Sequence, residues 1–98
     1  MMPISKQAID EAVAAFVYAR DERKAPDEHR RGKFRVGWED ASQGRRTYTA
    51  EALERLTWMN MGYRLGQRFG HLTPSRINAV YDYLAECWNQ RAPGDRVV

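Results

Sequence analysis

The chain has 98 residues, enough for one domain with one hydrophobic core. Its hydrophobic share of 43% excludes a disordered chain, and no apolar run approaches the roughly 20 residues of a membrane span. The net charge of +3 permits a polyanionic partner without demanding one, and a single cysteine excludes an internal disulfide.

The start, Met1-Met2-Pro3-Ile4-Ser5-Lys6, lacks the basic and apolar stretches of a signal peptide, so a cytoplasmic location in a bacterium or archaeon is the expectation. Ser5 follows Ile4, and Ile9 comes five residues later. A hydroxyl N-cap with an apolar staple across it opens a helix. Ile9, Ala12, Val13, Phe16 and Val17 continue the helical period, which predicts a first helix over 6–23. Pro26 disfavours helix at Ala25, and 24–33 reads as a charged linker containing His29.

Phe34, Val36 and Trp38 alternate with Arg35 and Gly37, which is the period of a strand. Ser42-Gln43-Gly44 is turn chemistry, and Arg45 to Tyr48 could return as a partner strand. A short β-hairpin is therefore expected between the first two helices, with Glu39-Asp40 as an acid pair at its turn. Six basic residues fall between Arg30 and Arg46 against those two acids.

Tyr48-Thr49, with Leu53 five residues on, predicts a second helix over 50–69 ending at Gly70. Leu53, Leu56, Trp58, Met61, Leu65 and Phe69 give it a wide apolar arc, so it should be central, with Trp58 and Leu65 buried. Gly62 and Gly66 share a face and imply the close approach of another backbone. Leu72-Thr73-Pro74, with Ile77, predicts a third helix over 74–91. Its inner stripe is Ile77, Val80, Tyr81, Leu84, Cys87 and Trp88, making Cys87 a buried, inert thiol. Residues 95–98 should fray, Tyr18 and Tyr83 fall off the stripes, and the whole is one mainly α domain: three helices and a hairpin, compatible with a winged-helix arrangement.

Nothing in this pattern supplies a catalytic centre. His29 and His71 stand apart from any nucleophile, and no phosphate loop, dinucleotide fingerprint or metal spacing occurs, so no enzyme, cofactor or metal is expected. On the second helix Asn60, Arg64, Gln67 and Arg68 form a polar stripe of the residue types that pair with base edges. Arg35, Arg45 and Arg46 on the hairpin could meet phosphates. A non-enzymatic nucleic-acid-binding module is the first expectation. A small protein-binding or inhibitory accessory protein, of the kind that phages and mobile elements encode, is the second, through exposed aromatic and arginine anchors. A homodimer is compatible with either.

Lys33-Phe34-Arg35-Val36-Gly37-Trp38, a turn, Tyr48 and a helix, after the Ile4-Ser5 start, resemble the small N-terminal modules of modular HNH-type restriction endonucleases. The resemblance covers about residues 4–65. It implies a target-binding module with a Lys/Arg-Phe-x-Val strand. HNH residues are lacking, so cutting is not implied, and the longer, acidic turn departs from the pattern.

Overall fold

The computed structural model describes residues 4–90, and it is mainly helical. Four α-helices are present among them: α1 (Lys6–Val13), α2 (Glu28–Ser42), α3 (Trp58–Phe69) and α4 (Pro74–Asn89). Two short strands, β1 (Arg20–Asp21) and β2 (Arg55–Leu56), pair in parallel with Arg20 opposite Arg55. The α2 segment lies in the crossover between them, as a parallel pair requires. No helix of the described residues is long and apolar enough to cross a membrane.

Three helices open on hydroxyl caps. Ser5 accepts from the Ala8 N–H (3.1 Å), Thr57 from Asn60 (3.1 Å) and Thr73 from Arg76 (3.4 Å). Each satisfies a donor that the first helical turn leaves without a partner. The expected first helix is shorter than its periodicity suggests. It stops at Val13, tightens into a 3-10 turn over Ala14–Phe16, and gives way to β1. There the backbone finds other partners: Glu22 N–H donates to the Leu56 carbonyl (3.0 Å), and the Glu22 carboxylate receives Arg55 (2.8 Å). Val17 consequently leaves the apolar stripe and faces outward, as Tyr18 was expected to.

The expected linker and hairpin are both absent, and with them any wing. Residues 28–42 are instead the helix α2, which carries His29 and the supposed strand Phe34–Val36–Trp38. Asp27 caps it by accepting from the Arg30 N–H (2.8 Å). That bond, reinforced by the Arg30 charge, holds the Asp27 carboxyl below its usual range. In a strand Val36 would share a face with Phe34 and Trp38. In the helix those two point inward, one turn apart, while Val36 is exposed. Gly44, at φ 65°, ends α2, and the Arg45 N–H turns back to the Asp40 carbonyl (3.0 Å).

Residues 45–54 do not form a strand or the first turns of α3. Thr49 caps only a 3-10 turn over Ala52–Glu54, and α3 starts eight residues later than the Tyr48-Thr49 signal implied. Tyr48 packs flat on Tyr63, with ring centroids 4.0 Å apart, and its hydroxyl donates to the buried Asp40 carboxylate (2.8 Å). Burial and that carboxylate push the Tyr48 phenol up. So Glu39-Asp40 is no turn pair: Glu39 receives Arg35 and Arg45 on the helix surface, and Asp40 anchors the loop after it.

The core lies where α2 and α3 meet. Phe34, Trp38, Met61, Leu65, Ile77, Val80 and Ile9 are closed to solvent, and Trp58 nearly so. Leu65 and Trp58 sit where the central-helix expectation put them. The glycine expectation holds in atomic detail, because Gly62 and Gly66 pack directly on the α2 backbone at Phe34 and Trp38. On α4, Ile77, Val80, Tyr81 and Leu84 face inward, but Cys87 is exposed. Expected as a buried thiol, it stands off the core between Leu84 and the partly buried Trp88, beside the Tyr83 hydroxyl. Tyr83 is half-buried, its hydroxyl donating to Asp10 of α1 (2.9 Å). The expected tail at 95–98 and the end of the third helix at residue 91 lie outside the described residues.

Candidate nucleic-acid interface

The seven residues expected at an interface are not brought together. On α3, Asn60 is committed to the fold. Its amide donates to the carbonyls of Arg55 (2.6 Å) and Ala52 (2.9 Å), fastening the 3-10 turn and β2 to the helix start. Arg64 lies over the Phe16 ring, 5.5 Å from its centroid, facing α1. Gln67 and Arg68 are exposed and line a cleft with Glu11 of α1. On α2 and its following turn, Arg35 and Arg45 both reach Glu39 (3.4 Å each), and Arg45 also reaches Asp40 (3.5 Å). Arg46 is exposed on the loop beyond. No hydrogen bond or ion pair among the described residues joins the α2 set to the α3 set.

A different basic cluster is assembled by the fold. After β1 the chain passes through Arg23 and Lys24 and enters α2, whose first turns carry His29, Arg30 and Lys33. These five side chains, with Glu22, line a groove of about 280 Å³ against the start of α3. The local chemistry explains the arrangement. The Trp58 indole donates to the Lys24 carbonyl (2.7 Å), and the Arg23 guanidinium covers the Trp58 ring at 5.4 Å. Arg23 is held from its other side by Asp21 (2.9 Å). Residues 29 and 33 stand one helical turn apart on the exposed side of α2.

The charge balance of this groove is positive. Glu22, the one acid among the described residues lining it, is spent on Arg55 and Arg20, and the Arg55 hydrogen bonds hold its carboxyl below the usual range. Arg23 and Arg30 have Asp21 and Asp27 beside them. Lys24 and Lys33 are exposed and have no ion-pair partner among the described residues.

This site is hidden in the sequence because 24–33 reads as a linker. The overlooked signal was Pro26-Asp27-Glu28: an acidic cap followed by an acidic first helical residue is a helix start. Among the described residues, no three His, Cys, Asp or Glu side chains gather as a metal site would require. A scan against known protein families found no match, and none was found among characterised proteins or solved structures.

Proposed function

We propose that this chain is a non-enzymatic module that binds nucleic acid through its phosphates, using the groove between the β1–α2 segment and the start of α3. The observation that carries the reading is the pair of lysines, Lys24 and Lys33, without an ion-pair partner among the described residues, in a groove whose one described acid is already neutralised. Arg23, Arg30 and His29 add donors around them. Phosphate contact of this kind positions a duplex or single strand without reading its sequence.

Gly32 stands between His29 and Lys33 along α2, outside the residues that line the groove. It lies inside α2, exposed, and a Cβ there would meet nothing within 4 Å. Glycine inside a helix costs up to about 1 kcal/mol relative to alanine, and nothing in the packing of this domain offsets that cost. A phosphate backbone drawn close to His29 and Lys33 would.

The test is binding of labelled 20-mer duplex and single-stranded probes, followed by fluorescence anisotropy at 50 and 200 mM salt. The Lys24→Ala/Lys33→Ala variant is expected to weaken binding to all sequences and to reduce the slope of log K against log salt by about 1.4–1.8, since each phosphate contact contributes about 0.7–0.9. Arg45→Ala/Arg46→Ala should do less, because Arg45 is paired to Glu39 and Asp40. No binding at 50 mM salt, or an unchanged slope in the lysine variant, sinks the reading.

Gly32→Ala separates fold from function on its own. The expected outcome is a domain more stable by about 0.5–1 kcal/mol that binds the same probes more weakly. A gain in stability with undiminished binding would remove close approach from the account.

A further inference from the structure

On the opposite side of α3 a guanidinium is half-buried without an acid. Arg64 lies over Phe16, and its Nε is buried with no hydrogen-bond partner. No carboxylate among the described residues forms an ion pair with it. An arginine cannot discharge itself by losing a proton, so its burial calls for an acceptor. Two clefts meet at this residue. One, of about 280 Å³, runs between α1 and α3 toward Gln67 and Arg68. The other, of about 210 Å³, runs over Phe16, Ala19 and Leu53 toward Tyr18. Ala15 and Arg64 line both, so the two clefts adjoin at the cation.

The ends of the groove narrow the choice of ligand. Glu11 stands at one end and Glu54 at the other. Two fixed acids repel a polyphosphate, while leaving room for one negative charge between them. The wall from Ala15 to Leu53 is apolar, and beside it Tyr18 is 97% and Val17 73% exposed. An exposed tyrosine next to a poorly satisfied arginine is the usual make-up of a protein-binding anchor.

We propose that this groove docks a peptide segment of a partner protein, one carrying a single Asp or Glu between apolar side chains. The carboxylate accepts from the terminal nitrogens of the Arg64 guanidinium, the part of it not closed to solvent, and the apolar neighbours pack along Phe16, Leu53 and Tyr18. The partner's flanking residues are neutral or basic, to suit Glu11 and Glu54. This site shares no residue with the basic groove, so the domain has two separate faces, and either can fail alone.

The experiment is a random-peptide display selection on the full chain, followed by affinity measurement with a synthetic peptide of the enriched sequence. The expected result is enrichment of peptides with one acid flanked by apolar residues. Arg64→Gln should weaken the synthetic peptide by about ten- to a hundredfold, as loss of a charge-assisted bond does. Tyr18→Ser and Ala15→Arg, at exposed positions that leave the core intact, should weaken it too. They decide the matter if Arg64→Gln fails to fold. The proposal is overturned by a selection that enriches nothing or enriches peptides without an acid. It is equally overturned if affinity is unchanged in the groove variants or is lost instead in Lys24→Ala/Lys33→Ala.

Discussion

Gly62→Ala is expected to lower the melting temperature by more than about 10 °C, and Gly62→Leu to leave no cooperative transition at all. A Cβ built on Gly62 would lie 2.0 Å from the Phe34 carbonyl oxygen, and one on Gly66 would lie 2.5 Å from that of Trp38. The contact is reciprocal, since a Cβ on Gly37 of α2 would lie 2.0 Å from the Met59 carbonyl oxygen of α3. Each obstacle is main chain, which cannot rotate out of the way as a side-chain tip does. Overpacking a core typically costs about 1–3 kcal/mol, and here two helices must separate, so the loss should reach or pass the top of that range. A domain of this size has only about 5–15 kcal/mol in total, and each kcal/mol moves its midpoint by about 4–8 °C. Thermal and urea melts followed by circular dichroism check it. The internal control is Gly32→Ala on the same helix α2, which should move the midpoint upward. If Gly62→Ala melts within a few degrees of the wild type, the α2–α3 crossing is wrong.

Much of this crossing was legible from one side only. The Gly62–Gly66 spacing announced that a backbone packs on α3, and the apolar arc around Trp58 and Leu65 announced a central helix. The partner was hidden. In α2 the inward residues Phe34, Gly37 and Trp38 are surrounded by arginines, Gly32 and the exposed Val36, so the apolar signal is weak at helical period and strong at strand period. Tertiary packing overrides such a pattern, because close approach to α3 at three glycines rewards helix where local preference does not.

The start of α3 failed for a related reason. Leu56-Thr57 with Met61 five residues on repeats the same staple as Tyr48-Thr49 with Leu53, and both threonines do cap a turn. Local chemistry could not say which cap began the long helix. The Asn60 side chain settles it in the structure, by taking up the Ala52 and Arg55 carbonyls before α3 proceeds. That same commitment takes up both donors of the Asn60 amide. The basic groove was illegible for the same reason as α2: Lys24, His29 and Lys33 converge only once residues 28–42 coil and Trp58 ties the Lys24 carbonyl to α3.

Trp38 offers the sharpest measure of how far α2 belongs to the core. On an exposed ribbon its loss would be mild. In this fold it is closed to solvent, tilted against Phe34 (centroids 5.9 Å apart) and stacked on Phe69 (6.5 Å). Its indole N–H donates to the Gly70 carbonyl (2.8 Å), pinning the end of α3 to the middle of α2. Trp38→Ala should therefore cost about 3–5 kcal/mol, through lost burial and the cavity left behind. Trp38→Phe keeps most of the ring volume but leaves the Gly70 carbonyl without its donor, a loss of about 1–3 kcal/mol. Equilibrium urea unfolding separates the two terms. The alanine variant should shift the midpoint the more of the two, with the same slope as wild type as long as unfolding stays two-state. Equal midpoints for both variants would assign the whole effect to the hydrogen bond, and a wild-type midpoint for the alanine variant would place Trp38, and α2 with it, outside the core.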